Sequence, residues 1–438
     1  MSMPVDRRRF LVAAGLTATG GALAPSVASS LARAASTNAS GDWAWVRDQF
    51  DASREFSHFA SFFIASNPRP VREAIDKLRR EIDANPYFAI DDDLFSGPAR
   101  VRAAAAAFVG GAPEEIALTR CTTEGLALVY SGLALSPGQE IVCTTHDHYS
   151  HHESIRLARR RSGASERRIA LYDDPANASE DEIVDRVRKA IGPRTRAVGV
   201  TWVHSSTGVK IPIRRIADAV ADANQSRGPA DRTLLIVDGV HGFGVEEEKI
   251  AALGADFFAA GTHKWIFGPR GTGILWARRD AWPQVQPTVP AFEKGPYDAW
   301  MDGKEPGSTE ASWMSPGGFH AYEHLWALPA AFAFHEQIGR GRIASRIHEL
   351  NTRIKDGLAE SRAIRIFTPR SEKLSSGLVA FEVAGHTPED VVKRLRARRI
   401  IASTSPYKPS YARLAGSLLN TPEEVDAAVR AVREIAVG

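Results

Sequence analysis

Seven short apolar runs, at 116–119, 141–144, 169–172, 197–203, 234–237, 257–260 and 273–276, recur through the middle of the chain, mostly separated by helical stretches such as 181–191 and 213–224. Runs of this length without polar alternation read as strands buried on both faces, and strands that alternate with helices close into a mainly parallel sheet between helical layers. An α/β fold is therefore expected. Before the sheet come a short helical pattern at 43–50, the break Asn67-Pro68-Arg69-Pro70, and helices at 71–82 and 103–109; another spans 123–135. After Trp282 the regularity fails at Pro283, Pro287, Pro290, Pro296 and Pro306. A long helix is then expected from about His320 into the 350s, followed by strands at 364–367 and 377–383, a helix at 388–398 and an edge near 400–403. The last helix opens at Thr421-Pro422-Glu423-Glu424, with Thr as N-cap and Pro at the first helical position. This tail is a second, smaller α/β domain. The division is an N-terminal segment 35–99, a large ligand-binding domain 100–290, and a crossing segment with the small domain at 291–438; 438 residues are ample for two cores.

The formal charge of +3 sits at the start of the chain. Residues 1–34 hold Arg7, Arg8, Arg9 and Arg33 against Asp6, and the remainder carries 51 basic and 51 acidic side chains. Binding nucleic acid needs a surplus of phosphate-neutralising cations, so that class is set aside. Asp6-Arg7-Arg8-Arg9-Phe10-Leu11, a weakly apolar stretch and Ala32-Arg33-Ala34-Ala35 form a charged region, an apolar region and an A-x-A cleavage site. The paired arginines resemble a twin-arginine signal, a receptor-read address and not an anchor. The expectation is export by the twin-arginine machinery, cleavage near Ala34, a periplasmic destination and no stable membrane insertion. That route carries folded proteins, often with a cofactor in place. The two cysteines, Cys121 and Cys143, form no disulfide framework; packing is the expected role, with a single bridge left open.

Gly261-Thr262-His263-Lys264-Trp265 directly follows an apolar run and precedes Gly268-Pro269-Arg270-Gly271-Thr272-Gly273. A lysine confined there is partly desolvated, and burial favours the neutral amine that condenses with an aldehyde. Upstream, Asp238 ends the run 234–237, at the strand end where open α/β sheets bind ligands. An anion there would keep the ring nitrogen of pyridoxal phosphate protonated. Thr122 and Thr123 open a helix, whose free N–H groups and dipole attract a phosphate. His148, in Thr144-Thr145-His146-Asp147-His148-Tyr149, ends the next strand and can stack on a planar cofactor or exchange protons. His148, His151 and His152 on one helical face would instead suggest a metal, though no second ligand cluster accompanies them.

Taken in order, RCTTEG, THDHY, VDGVH, GTHKWIFGPRGTG and YARLAGSLLNTPEEVD make residues 57–436 resemble the class V aminotransferases, pyridoxal-phosphate enzymes of fold type I, in the isopenicillin N epimerase-like branch. The resemblance implies a large domain with a mainly parallel seven-stranded sheet between helices and a small C-terminal α/β domain. It implies that Lys264 binds the cofactor covalently, Asp238 pairs with the pyridine nitrogen and His241 approaches the phenolic oxygen. Thr122 and Thr123 would hold the phosphate with Thr262 or His263, and His148 would stack on the ring. Ser205 stands where many relatives have an Asn near the phenolic oxygen. The resemblance also implies a homodimer, with Gly318 of Gly318-Phe319 reaching the partner's phosphate by its backbone in place of the family's Gly-Thr pair. Arg413 matches the arginine that clamps a substrate α-carboxylate, a task for its planar fork of donors.

The reaction is less constrained. Family desulfurases use a cysteine on a loop well after the Schiff-base lysine, and this chain has none after Cys143. A C–S lyase that releases its product directly needs no such thiol. Transamination and epimerisation both begin with Lys264 taking the α-proton. The expected function is therefore transamination or epimerisation of an amino acid or peptidyl secondary metabolite, as in siderophore or natural-product tailoring. A non-catalytic binding protein on this fold is the rival from another class, and Lys264 argues against it.

Overall fold

A computed structural model describes residues 42–437. The expected twin-arginine leader, 1–34, lies outside the described residues. The first strand, β1 (Ser57–His58), comes well before the main sheet. That sheet contains β2 (Ile116–Thr119), β3 (Glu140–Thr144), β4 (Ser165–Ile169), β5 (Thr195–Thr201), β6 (Leu234–Asp238), β7 (Phe257–Gly261) and β8 (Gly273–Ala277). Its order is β2-β8-β7-β6-β5-β3-β4, and β8 alone runs opposite to the other six strands. The expected seven-stranded, mainly parallel sheet is present.

The residue pattern explains both covered faces. Along β6, Leu234 and Ile236 enter one core while Leu235 and Val237 enter the other. Helix α1 (Arg69–Ala84) packs with α4 (Tyr322–Ile338) on one side, where Val71, Trp326, Leu328 and Ala331 share a core with Leu235. Helices α2 (Thr122–Gly132) and α3 (Tyr149–Ser162) cover the other, through Leu126, Val129 and Ile155.

Two expectations are corrected. The run 169–172 is not a strand; β4 lies just upstream, at Ser165–Ile169. An edge strand is protected by charge, here Glu166, Arg167 and Arg168, so polarity hid it, while Leu171 and Tyr172 are buried outside the sheet. The long helix after 320 is two helices, α4 and α5 (Arg340–Ala359), divided at Gly339 with φ of 95°, a conformation that favours glycine.

The C-terminal sheet has order β12-β13-β10-β9: β9 (Ile364–Ile366), β10 (Val379–Val383), β12 (Ser403–Thr404) and β13 (Ala412–Leu414). Between them, β11 (Ile400–Ile401) pairs in parallel with β1, and Phe59 joins the core of this C-terminal region. Helix α6 (Pro422–Val437) opens with a reciprocal cap: Thr421 Oγ1 accepts the Glu424 N–H and Glu424 Oε2 accepts the Thr421 N–H, both at 3.2 Å.

Candidate active site

A cavity of about 390 Å³ opens at the C-terminal ends of β3, β5, β6 and β7. Lys264, three residues beyond β7, lies inside it with its Nζ 3.5 Å from His241 Nε2. Burial, opposed by the Asp238 carboxylate, lowers the Lys264 pKa to about 8. His241 follows the turn after β6. Burial first, then the Lys264 and Arg413 cations, push its imidazole well below the ordinary range, so it is neutral. Asp238 ends β6 and takes the Val240 N–H at 3.2 Å; burial, partly offset by His151, raises its pKa.

Cys121 is the N-cap of α2, and Thr122 and Thr123 begin that helix at the cavity wall. Thr122 Oγ1 accepts the Gly261 N–H at 2.8 Å, tying the helix start to the lysine loop, while Thr123 is exposed. His148 caps α3: its Nδ1 accepts the Ser150 N–H at 3.2 Å, and burial followed by Lys264 lowers its pKa. His263 lines the same wall, its pKa lowered by burial and then Lys264.

Arg413, on β13, reaches the cavity from the C-terminal sheet. Its Nη1 donates to Ser205 O at 2.6 Å and its Nη2 to Thr404 O at 2.7 Å, and its guanidinium lies 4.7 Å from the Phe62 ring centroid. It makes no ion pair among the described residues. Burial lowers its pKa to about 10, leaving it a cation at neutral pH.

The cavity thus assembles Lys264, Asp238, His241, His148, Thr122, Thr123, His263, Ser205 and Arg413 from segments far apart in sequence. Two expected residues lie elsewhere. Thr262 is fully buried, and its hydroxyl is shared with Thr272 Oγ1 at 2.5 Å and Thr272 O at 3.0 Å, so it has turned away. Gly318 borders a second cavity with Arg120, Arg270 and Phe292, separate from its own chain's Lys264. The three histidines weighed as a metal set diverge: His148 caps α3, His151 Nε2 meets Tyr130 Oη at 2.7 Å, and His152 Nε2 meets Thr144 O at 2.7 Å. Both cysteines are free; Cys143 is packed as expected, whereas Cys121 borders the cavity.

Sequence reading missed three groups. Tyr407 Oη lies 2.5 Å from Ser205 Oγ. Asp147, inside the THDHY motif but unassigned, accepts from Thr144 N at 2.7 Å and Thr201 Oγ1 at 2.8 Å beneath the site. Phe62, Phe63 and Ile64 border the cavity, and that apolar triplet was the available signal.

The model of the family described as "Aminotransferase class-V" matches residues 65–422. The chain belongs to the class V aminotransferases. It is 27% identical to isopenicillin N epimerase of Streptomyces clavuligerus over 82% of this chain and 89% of that one. It is 28% identical to a cysteine desulfurase of Klebsiella pneumoniae over 76% and 81%. Among solved structures, a C-DES mutant with glycine covalently linked to its PLP cofactor superposes with a TM-score of 0.79 at 22% identity, over 88% of this chain and 98% of that one.

The class V enzymes work with pyridoxal phosphate, and the cavity fits that group. A buried carboxylate suits a protonated ring nitrogen, an exposed threonine at a helix start suits a phosphate, and a lysine with lowered pKa suits an aldehyde. The Nδ1 atom of His241 is buried without a partner among the described residues, and the residue lines the cavity. This is a pyridoxal-phosphate-dependent class V enzyme.

Proposed function

We propose that this enzyme acts at the amino-bearing carbon of an amino acid or peptidyl secondary metabolite, transferring the amino group or inverting the centre. The observation that carries this reading is Arg413, a buried guanidinium in the Lys264 cavity with no carboxylate in an ion pair with it among the described residues. A buried cation whose partners are all neutral oxygens keeps its charge unbalanced, and a substrate carboxylate would neutralise it through a bidentate pair.

Pyridoxal phosphate, when bound, supplies an aldehyde for the substrate amine and an electron-withdrawing ring beside the reacting carbon. Asp238 would hold the proton on its ring nitrogen. Thr122, Thr123, the start of α2 and His263 would hold its phosphate, with His148 against the ring and His241 and Ser205 toward its phenolic oxygen. Arg413 fixes the substrate carboxylate and thereby the α-carbon. Lys264, as a neutral amine, takes the α-proton; a proton delivered back to the α-carbon from the opposite face inverts the centre, whereas one delivered away from that carbon leads to transfer of the amino group. We further propose a homodimer in which Gly318 approaches the partner's phosphate site, and twin-arginine export to the periplasm with tailoring of a siderophore or similar product there.

The deciding experiment incubates the holoenzyme in deuterated water with candidate amino acids and peptides. Solvent deuterium at an inverted centre identifies an epimerase, and a keto or aldehyde product with aminated cofactor identifies a transaminase. A released sulfur product would support C–S cleavage, the chemistry named for the cysteine desulfurase relatives, and overturn both. Borohydride trapping of the cofactor on a lysine other than Lys264 would refute the site.

A further inference from the structure

We infer that Tyr407 is a positioning residue that makes Ser205 a hydrogen-bond donor toward an oxygen of the bound ligand. The inference rests on the pyridoxal-phosphate site proposed above and adds a second-layer residue to it. Ser205 borders the cavity, and its backbone is fixed because Arg413 Nη1 donates to its carbonyl at 2.6 Å. Its hydroxyl meets the Tyr407 hydroxyl at 2.5 Å. The Tyr407 ring is itself held edge-on to His148, with centroids 6.2 Å apart at 71°.

Two hydroxyls in contact can be arranged in two ways, and they differ in what they offer the cavity. A phenol is the more acidic donor and the poorer acceptor, because its lone pair is delocalised into the ring. Burial keeps the Tyr407 phenol protonated. Tyr407 therefore donates, Ser205 Oγ accepts, and the single serine proton is free to point into the cavity. No other protein partner is recorded for Ser205 Oγ among the described residues. The chain so obtains from two hydroxyls, 202 positions apart, an N–H-like donor of fixed direction. Its acceptor is an anionic oxygen, supplied by the cofactor or by the substrate.

The test uses holoenzyme of wild type, Y407F, S205A, Y407F/S205A and Y407F/S205N, with melting curves to confirm folding. Three quantities are read: the pH midpoint of the bound cofactor's absorbance change, the pyridoxal-phosphate dissociation constant, and KM. Y407F keeps the ring against His148, yet it should weaken binding roughly tenfold, the scale of one hydrogen bond to a charged group. S205A should match it, the double variant should be no worse than either single one, and S205N in the Y407F background should restore binding by providing an amide donor. A cofactor oxygen as acceptor shifts the absorbance midpoint without substrate; a substrate oxygen changes KM alone. Y407F with all three quantities at wild-type values, or single effects that multiply in the double variant, overturns the inference. A wild-type protein that takes up no pyridoxal phosphate overturns the proposed function, and the inference with it.

Discussion

At the scale of single residues, the cavity holds two buried cations, Lys264 with a lowered pKa and Arg413 with no ion pair among the described residues. With a pKa of about 8, roughly one Lys264 amine in ten is neutral at pH 7 and about nine in ten at pH 9. The apoenzyme should therefore capture pyridoxal phosphate about tenfold faster at pH 9 than at pH 7 and level off above that, as followed by absorbance. A rate still climbing beyond pH 10 would mean that an ordinary exposed lysine reacts. Arg413→Ala should cost about 2–5 kcal/mol of carboxylate-substrate binding, while an amine analogue without the carboxylate should lose nothing. Equal losses for both substrates would remove Arg413 from the substrate site. Lys264, Asp238 and Arg413 were legible in the sequence because each stands in a motif with a chemical reason for its residue type. Tyr407 was not, because its meaning comes from a contact across 202 residues. Of the pair Thr262 or His263 that the resemblance offered, His263 lines the cavity while the Thr262 hydroxyl bonds Thr272, a direction that sequence alone does not show.

At the scale of elements, burial on both faces made β2 and β5–β8 visible as apolar runs, and the same rule concealed the charged edge strand β4. Strand β13, which delivers Arg413, is three residues long and too short to announce itself by pattern. Beneath the site, Gly199 on β5 has a requirement of its own: a Cβ there would meet Tyr130 Oη and His151 Nε2, which fill the space above the strand. Gly199→Ala should destabilise the protein by about 1–3 kcal/mol, the usual cost of overpacking, read from chemical denaturation. Adding Tyr130→Phe removes one clashing atom, so the double variant should cost less than the sum of the two singles. Simple additivity would show that the strand shifts to make room.

At the scale of the whole molecule, the mainly parallel main sheet between helices agrees with the α/β architecture read from the alternation of strands and helices, because that alternation is a property of long stretches. Large apolar side chains stand in water on Phe319, 80% exposed, beside Gly318, and on Trp300, 74% exposed. In the homodimer proposed above, Phe319 would lie at the interface beside Gly318. Sedimentation should show a dimer, and Phe319→Asp should shift it toward monomer with looser cofactor retention; a cofactor-loaded wild-type monomer would refute the proposed assembly. Arg7→Lys combined with Arg8→Lys should hold the folded, cofactor-loaded enzyme in the cytoplasm, and undiminished delivery would exclude the twin-arginine route. The short pairing of Ser57 with Ile400 and His58 with Ile401 also fixes an order of events during synthesis. At about 5–20 residues per second, a ribosome needs on the order of 20–70 s between making one strand and making its partner. Throughout that interval the first strand has nothing to pair with. Residues 57–58 therefore reach their native pairing only once residues 400–401 have been made, whatever the rest of the main sheet has done by then.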